Sequence, residues 1–170
     1  MCSSDLDSQY VTMLMAVWND ETRTLEIANA GSVQPLHVTN VAPAAADSTG
    51  KRARASGRTG CDGPPEGFTV QTIQTEGFPL GLFPDAQYEE LTIATKPGDV
   101  VVFFSDGIVD AENAEGEMFG TERLTAVLRE HPAACHSAQA TVDAILAAVS
   151  GFQSGTPHFD DETLVVLRVL

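Results

Sequence analysis

Val100-Val101-Val102-Phe103-Phe104, preceded by Pro97-Gly98-Asp99 and closed by Ser105-Asp106-Gly107, is a continuous apolar run between two turn signals. No polar residue interrupts it, so neither face suits water, and the run reads as a strand covered on both faces. The last seven residues, Leu164 to Leu170, form a similar run broken only by Arg168. Both are expected to be central strands. Asp106 follows the C-terminal end of the first, whereas Asp160 and Asp161 precede the N-terminal end of the second. If the two strands are antiparallel neighbours, those ends share one edge of the sheet. The carboxylates then converge.

Upstream, Tyr10 to Val17 and Thr24 to Ala30 are β-prone runs around Asn19-Asp20-Glu21-Thr22, which predicts an antiparallel hairpin. A third short strand is expected over Pro35 to Thr39. From Asn40 to Glu66 the chain turns to Ala, Pro, Gly, Ser and Arg, too poor in large apolar side chains to offset the entropy of ordering, so 40–66 reads as a flexible insertion. Strands resume over Phe68 to Thr75 and Tyr88 to Thr95, where apolar and polar residues alternate. Between them Glu76 to Pro84 is rich in Gly and Pro yet apolar, which predicts a packed loop.

Downstream, Leu124, Val127 and Leu128 have helical spacing, as do Val142, Ile145, Leu146, Val149 and Phe152, with Ser137 placed as an N-cap. Strands first and helices late predict an α+β sandwich rather than alternating βαβ units.

At 170 residues and 43% hydrophobic content the chain is long enough for one substantial core, and a single domain over 1–170 is expected. It holds no run of about 18 apolar residues, and the N-terminus lacks the basic and apolar regions of a signal peptide. The expectation is a soluble, cytoplasmic protein without membrane insertion. Cys2, Cys61 and Cys135 are odd in number and lack metal-ligand spacing, which gives neither a disulfide framework nor a zinc site. A net charge of −15 argues against nucleic acid or an anionic membrane as partner, because both need clustered Lys and Arg. The one basic cluster, Lys51, Arg52, Arg54 and Arg58, lies inside the expected insertion.

Hard cations such as Mg²⁺ and Mn²⁺ take oxygen ligands, commonly a few carboxylates with water completing the shell. Converging aspartates on strand ends suit that need. Gly107 lets the backbone turn beside a hydrated ion, and Thr163 is placed to hydrogen-bond a neighbouring carboxylate. Asp-Gly is equally an ordinary turn and Asp160-Asp161 a solvated strand entry. The residues alone leave both readings open.

Six stretches in order resemble the SpoIIE/RsbU branch of the PP2C-type (PPM) phosphatases. They are Ala28-Asn29-Ala30-Gly31, Pro79-Leu80-Gly81-Leu82, Pro97-Gly98-Asp99, Phe104-Ser105-Asp106-Gly107, Asn113 to Gly120, and Asp160-Asp161-Glu162-Thr163. The resemblance runs from about Tyr10 to Leu170 outside 40–66. It implies a β-sandwich flanked by helices that holds two Mn²⁺ or Mg²⁺ ions at one edge. It also implies metal ligation by Asp106 and Asp160, which makes them the catalytic pair, with Asp161 as a neighbouring ligand. Metal-bound water then attacks phosphorus directly. The implied partner is a phosphorylated regulatory protein of the anti-sigma-factor-antagonist type, carrying phosphoserine or phosphothreonine.

The family's domain opens with a Gly-Gly-Asp-x-x-Asp-like segment whose aspartate bridges the metals, and Asp5 and Asp7 do not reproduce it. Relatives often carry His where this chain has Ser32. The expectation is therefore a domain incomplete at its N-terminus, inactive as this fragment, with exposed apolar surface, low stability or homodimerisation. The rival reading is a non-catalytic interaction domain or pseudophosphatase of the same fold. A calcium loop over Asp110 to Glu117 is disfavoured, because Glu115 stands where an EF-hand needs Gly. Serine-hydrolase chemistry lacks a Gly-x-Ser-x-Gly motif, and His37, His131, His136 and His158 show no nucleophile partner in the sequence. His158 reads as a surface-loop residue near Asp160.

Overall fold

Alternation of apolar side chains along short strands builds two sheets with a layer of core on each side of one of them. The computed structural model describes residues 10–40, 68–130, 137–156 and 160–170. The expected insertion over 40–66 lies outside these residues except for Asn40, which ends a strand. The strands are β1 (Met13–Asn19), β2 (Thr24–Ala30), β3 (Leu36–Asn40), β4 (Phe68–Thr72), β5 (Glu90–Ala94), β6 (Val100–Phe104) and β7 (Leu164–Arg168). One sheet has the order β1-β2-β5 and the other β4-β3-β6-β7, and every pairing is antiparallel.

The expected hairpin is present, with β1 and β2 in register from Met13↔Ala30 to Asn19↔Thr24. Asn19 shapes its turn: the side-chain Oδ1 accepts the Glu21 and Thr22 N–H groups, an Asx turn. The expected strand after it is also found, but it crosses to the other sheet, where β3 lies between β4 and β6.

In β6 the period of two divides the residues between layers. Val100, Val102 and Phe104 pack with Leu36 and Val38 of β3 against Leu124 and Leu128 of α2 (Gly120–Glu130) and Ile145 and Val149 of α3 (Ala138–Gln153). Val101 faces the other sheet, among Leu25, Ile27 and Ile73. Val100, Val101 and Val102 have no exposed surface. The strand is covered on both faces, as its composition required.

β7 departs from expectation. It pairs with β6 but forms the end of its sheet among the described residues, and Val165 is 56% exposed. An apolar run reports what covers a strand's faces, whereas an edge position depends on whether a backbone neighbour exists. Composition is blind to that.

Ser137 caps α3 through its Oγ, which accepts the Ala140 N–H at 3.1 Å. The buried line of α3 runs through Thr141, Ile145, Val149 and Gln153, while Leu146 is 38% exposed. The helix is apolar over much of its circumference, so spacing alone did not select which line faces the core. A further single turn, α1 (Asp106–Val109), follows β6 directly. Four residues are too few for a periodic signal.

The segment over 76–84 is anchored by backbone rather than by buried side chains. Val11 and Leu80 exchange N–H···O bonds of 3.0 and 2.8 Å. A Cβ at Gly77 would lie 1.8 Å from the Asn29 carbonyl oxygen, so only glycine fits there. Phe78 and Phe83 stack edge to face at 5.0 Å yet remain half-exposed. Asn29, 2% exposed, closes the β2 end by bonding both the N–H and the carbonyl of Ser32. No described helix is long and apolar enough to cross a membrane.

Candidate functional site

Antiparallel pairing of β6 with β7 ends at Phe104↔Leu164, which sets the residues leaving one strand beside those entering the other. Ser105 fastens this junction. Its N–H donates to the Thr163 carbonyl at 3.0 Å, its Oγ donates to the Asp161 carbonyl at 2.8 Å, and the same Oγ accepts the Thr163 N–H at 2.9 Å. Gly107 is buried against the same segment: a Cβ there would lie 2.6 Å from the Asp161 carbonyl oxygen and 3.0 Å from its carbon. Asp106-Gly107 and Asp160-Asp161 therefore meet at one sheet edge, and the glycine is needed for close backbone approach.

Both leading aspartates are exposed and locally held. Asp106 Oδ1 accepts the Gly107 N–H at 3.1 Å, and Asp160 Oδ1 accepts the Asp161 N–H at 2.8 Å. Among the described residues their second carboxylate oxygens have no hydrogen-bond partner. Asp161 takes part through its backbone carbonyl. Thr163 contributes its backbone N–H and carbonyl, and no described carboxylate accepts from its hydroxyl.

Two concavities adjoin the junction. One of about 400 Å³ is lined by Gly107, Asp110, Glu112, Met118, Gln153 and Asp160, together with Ala111, and Asp106 is not among the lining residues. The other, of about 600 Å³, opens between the sheets against Leu14, Trp18, Leu25, Phe103, Val165 and Leu167. The larger is mainly apolar, whereas the smaller carries the carboxylates.

An all-oxygen acidic set suits a hard divalent cation. Among the described residues, however, no three His, Cys, Asp or Glu side chains gather to hold one ion. The donor type fits Mn²⁺ or Mg²⁺, and the donor number does not.

The segment that carries Asp110 and Glu112 is a closed loop. Asn113 Oδ1 accepts the Glu115 and Glu117 N–H groups, and Glu112 bridges to Met118. Only the four-residue α1 precedes it. Arg123 braces its far side by donating to the Met118 and Phe119 carbonyls, with its guanidinium 4.7 Å from the Phe152 ring centroid.

His37 does have a partner, which sequence order concealed. Its Nε2 lies 3.3 Å from Asp99 Oδ2, and both residues are more than nine-tenths buried. The same oxygen accepts the Lys96 N–H at 2.9 Å. Their signal was a single polar residue within Leu36-His37-Val38 and a carboxylate closing Pro97-Gly98-Asp99. Asp99 precedes β6 while Asp106 follows it, so this pair braces the opposite end of the strand.

Two antiparallel sheets flanked by helices are the architecture of PP2C-like phosphatase domains. The Mn-presoaked phosphatase domain of SpoIIE from Bacillus subtilis superimposes with a TM-score of 0.59 at 16% identity, covering 93% of this chain and 56% of that one. The SiaA-PP2C domain of Pseudomonas aeruginosa gives 0.60 at 22% identity, covering 86% and 47%. The chain belongs to the SpoIIE family: the family model described as stage II sporulation protein E (SpoIIE) matches residues 64–170. Phosphoserine phosphatase RsbU of Bacillus subtilis (strain 168) is 32% identical over 100 residues, which are 59% of this chain and 29% of RsbU. The chain thus spans less than a third of that relative's length.

Proposed function

We propose that this chain forms part of a metal-dependent protein serine/threonine phosphatase. Its substrate is phosphoserine or phosphothreonine on a regulatory protein, of the kind that antagonises an anti-sigma factor. Asp106 and Asp160 serve as metal ligands with Asp161 beside them, and Gly107 and Thr163 hold the backbone. One observation supports this above the others: the Gly107 backbone packs on Asp160-Asp161, with the Ser105 Oγ bonding the Asp161 carbonyl and the Thr163 N–H. That contact gives two acidic segments, far apart in sequence, a fixed common edge. Membership of the SpoIIE family and the likeness to RsbU, a phosphoserine phosphatase, support the reaction class.

The described residues offer too few ligands for a two-metal centre, so the chain alone is proposed to bind Mn²⁺ weakly and to turn over little. Calorimetric titration with Mn²⁺, together with hydrolysis of a phosphoserine peptide, tests this. The comparison is with a version carrying a Gly-Gly-Asp-x-x-Asp segment upstream. The added segment should strengthen Mn²⁺ binding by at least about tenfold, since metal affinity follows ligand charge and number, and Asp160→Asn should abolish the gain. Tight Mn²⁺ binding by the unextended chain, lost in Asp106→Ala, would refute the shortage of ligands. The shortfall of donors also favours a second reading, a pseudophosphatase that binds a phosphoprotein without turnover. Failure of the extended protein to hydrolyse any phosphoserine peptide selects it.

A further inference from the structure

Strand β1 closes one end of its sheet among the described residues, with β2 on one side and no strand on the other. The hydrogen-bond phase shows which of its backbone groups are left over. The Thr95 N–H donates to the Arg23 carbonyl at 2.9 Å, on the β5 side of β2. A trans peptide points its carbonyl and the following N–H in opposite directions, so the Thr24 N–H faces β1. Alternation then turns Glu26 and Ala28 the same way, and the register Asn19↔Thr24, Val17↔Glu26 and Met15↔Ala28 commits those β1 residues to β2. The N–H and carbonyl groups of Leu14, Ala16 and Trp18 therefore point away from the sheet, and no described group pairs with them. This edge also lacks the usual protection. Met13 to Asn19 contains no charged residue and no Pro, whereas the end strands β5 and β7 hold Glu90 and Arg168. Met13, Met15 and Val17 are half-exposed, and α2 and α3 pack on the other sheet.

We propose that β1 is a dimerisation edge, pairing antiparallel with β1 of a second copy of this chain about a two-fold axis at Ala16. The strand is self-complementary in that register, which overlaps all seven of its residues. Leu14 of each copy falls opposite Trp18 of the other, Met15 opposite Val17, and Ala16, the smallest side chain in the strand, opposite itself. Leu14, Ala16 and Trp18 then exchange the N–H···O bonds that each copy leaves open. Residues opposite each other share a face of the sheet. Trp18 of the second copy thus extends the wall of the cleft of about 600 Å³, which Leu14, Ala16 and Trp18 line on one side and Val165 and Leu167 on the other. Charge favours a second copy in this place above others. A chain of −15 repels itself over most of its surface, but this strip sets no carboxylate against another. The first acids past the strand, Asp20 and Glu21, fall toward Thr12 and Val11 of the other copy. The contact is independent of the phosphatase reading.

Sedimentation velocity of the full chain over a range of concentrations tests this, with two variants placed on the axis. Ala16→Glu and Ala16→Lys each set like charges face to face and should weaken self-association at least about tenfold. Their equimolar mixture sets opposite charges face to face and should restore the dimer, which also shows that both variants fold. A second measurement leaves the axis intact. In a Cys2→Ser/Cys61→Ser/Cys135→Ser background, Met15→Cys mixed with Val17→Cys should form more intermolecular disulfide than either alone, since these positions face each other as a close, non-hydrogen-bonded pair. Amide exchange at Leu14, Ala16 and Trp18 should slow as concentration rises. A parent chain that stays monomeric overturns the proposal, and protection of those three amides in that monomer would mean that a segment of the same chain covers the edge. A dimer that both axis variants leave unchanged also overturns it, by placing the contact on another surface. So does equal crosslinking in the mixture and in the single variants, which removes the register.

Discussion

Gly107 and Gly151 are both helical glycines, and replacing each by alanine should move stability in opposite directions. Propensity alone favours alanine at both by up to about 1 kcal/mol. At Gly151, in α3, an added Cβ meets nothing within 4 Å, so that gain is realised. At Gly107 the new Cβ lies 2.6 Å from the Asp161 carbonyl oxygen, about 0.8 Å inside ordinary contact, and the obstacle is backbone, not a side chain free to swing away. Relieving the clash costs about 1 to 3 kcal/mol. It also drags the Asp161 carbonyl from Ser105 Oγ, now at 2.8 Å, a bond worth about 1 kcal/mol. Set against the propensity gain, the net loss is about 2 kcal/mol, which for a domain of this size lowers Tm by about 4 to 8 °C. Thermal and urea unfolding followed by circular dichroism read both variants. If Gly107→Ala stabilises the chain as Gly151→Ala does, the approach of α1 to Asp160-Asp161 is not present in solution, and the shared edge loses its support.

Three further perturbations probe separate links. Ser105→Ala removes both side-chain bonds that tie β6 to the β7 entry. Because the junction is partly exposed, the loss should be about 1 kcal/mol in urea unfolding, accompanied by weaker Mn²⁺ binding in the extended protein. His37→Ala leaves the buried Asp99 carboxylate with the Lys96 N–H as its remaining side-chain bond, and should cost about 2 to 4 kcal/mol as cavity and lost pair combine. An unfolding midpoint unchanged from the parent would show that the pair contributes nothing. Ser137→Ala deletes the α3 N-cap and should cost about 1 kcal/mol, with faster amide exchange at Ala140 as the local signature.

The primary sequence determined the layers. Val100 to Phe104 has no side chain that water can hold, so a doubly covered strand was the available outcome, and the alternation in Phe68 to Thr72 and Glu90 to Ala94 set half-buried strands around it. The helices were legible from spacing and from Ser137. The candidate site was legible as two acidic segments flanking apolar runs, because the end of one strand and the start of its antiparallel neighbour must adjoin. Tertiary structure alone decided what depended on neighbours remote in the chain. It placed β7 at the end of its sheet among the described residues, carried β3 into the second sheet, rotated the buried line of α3 onto Thr141 and Gln153, and paired His37 with Asp99 across 62 residues. It also brought Gln153 beside Asp110, Glu112 and Asp160. Local pattern reports which faces of a segment avoid water. Which segment supplies the cover is settled by packing, and packing is a property of the whole fold.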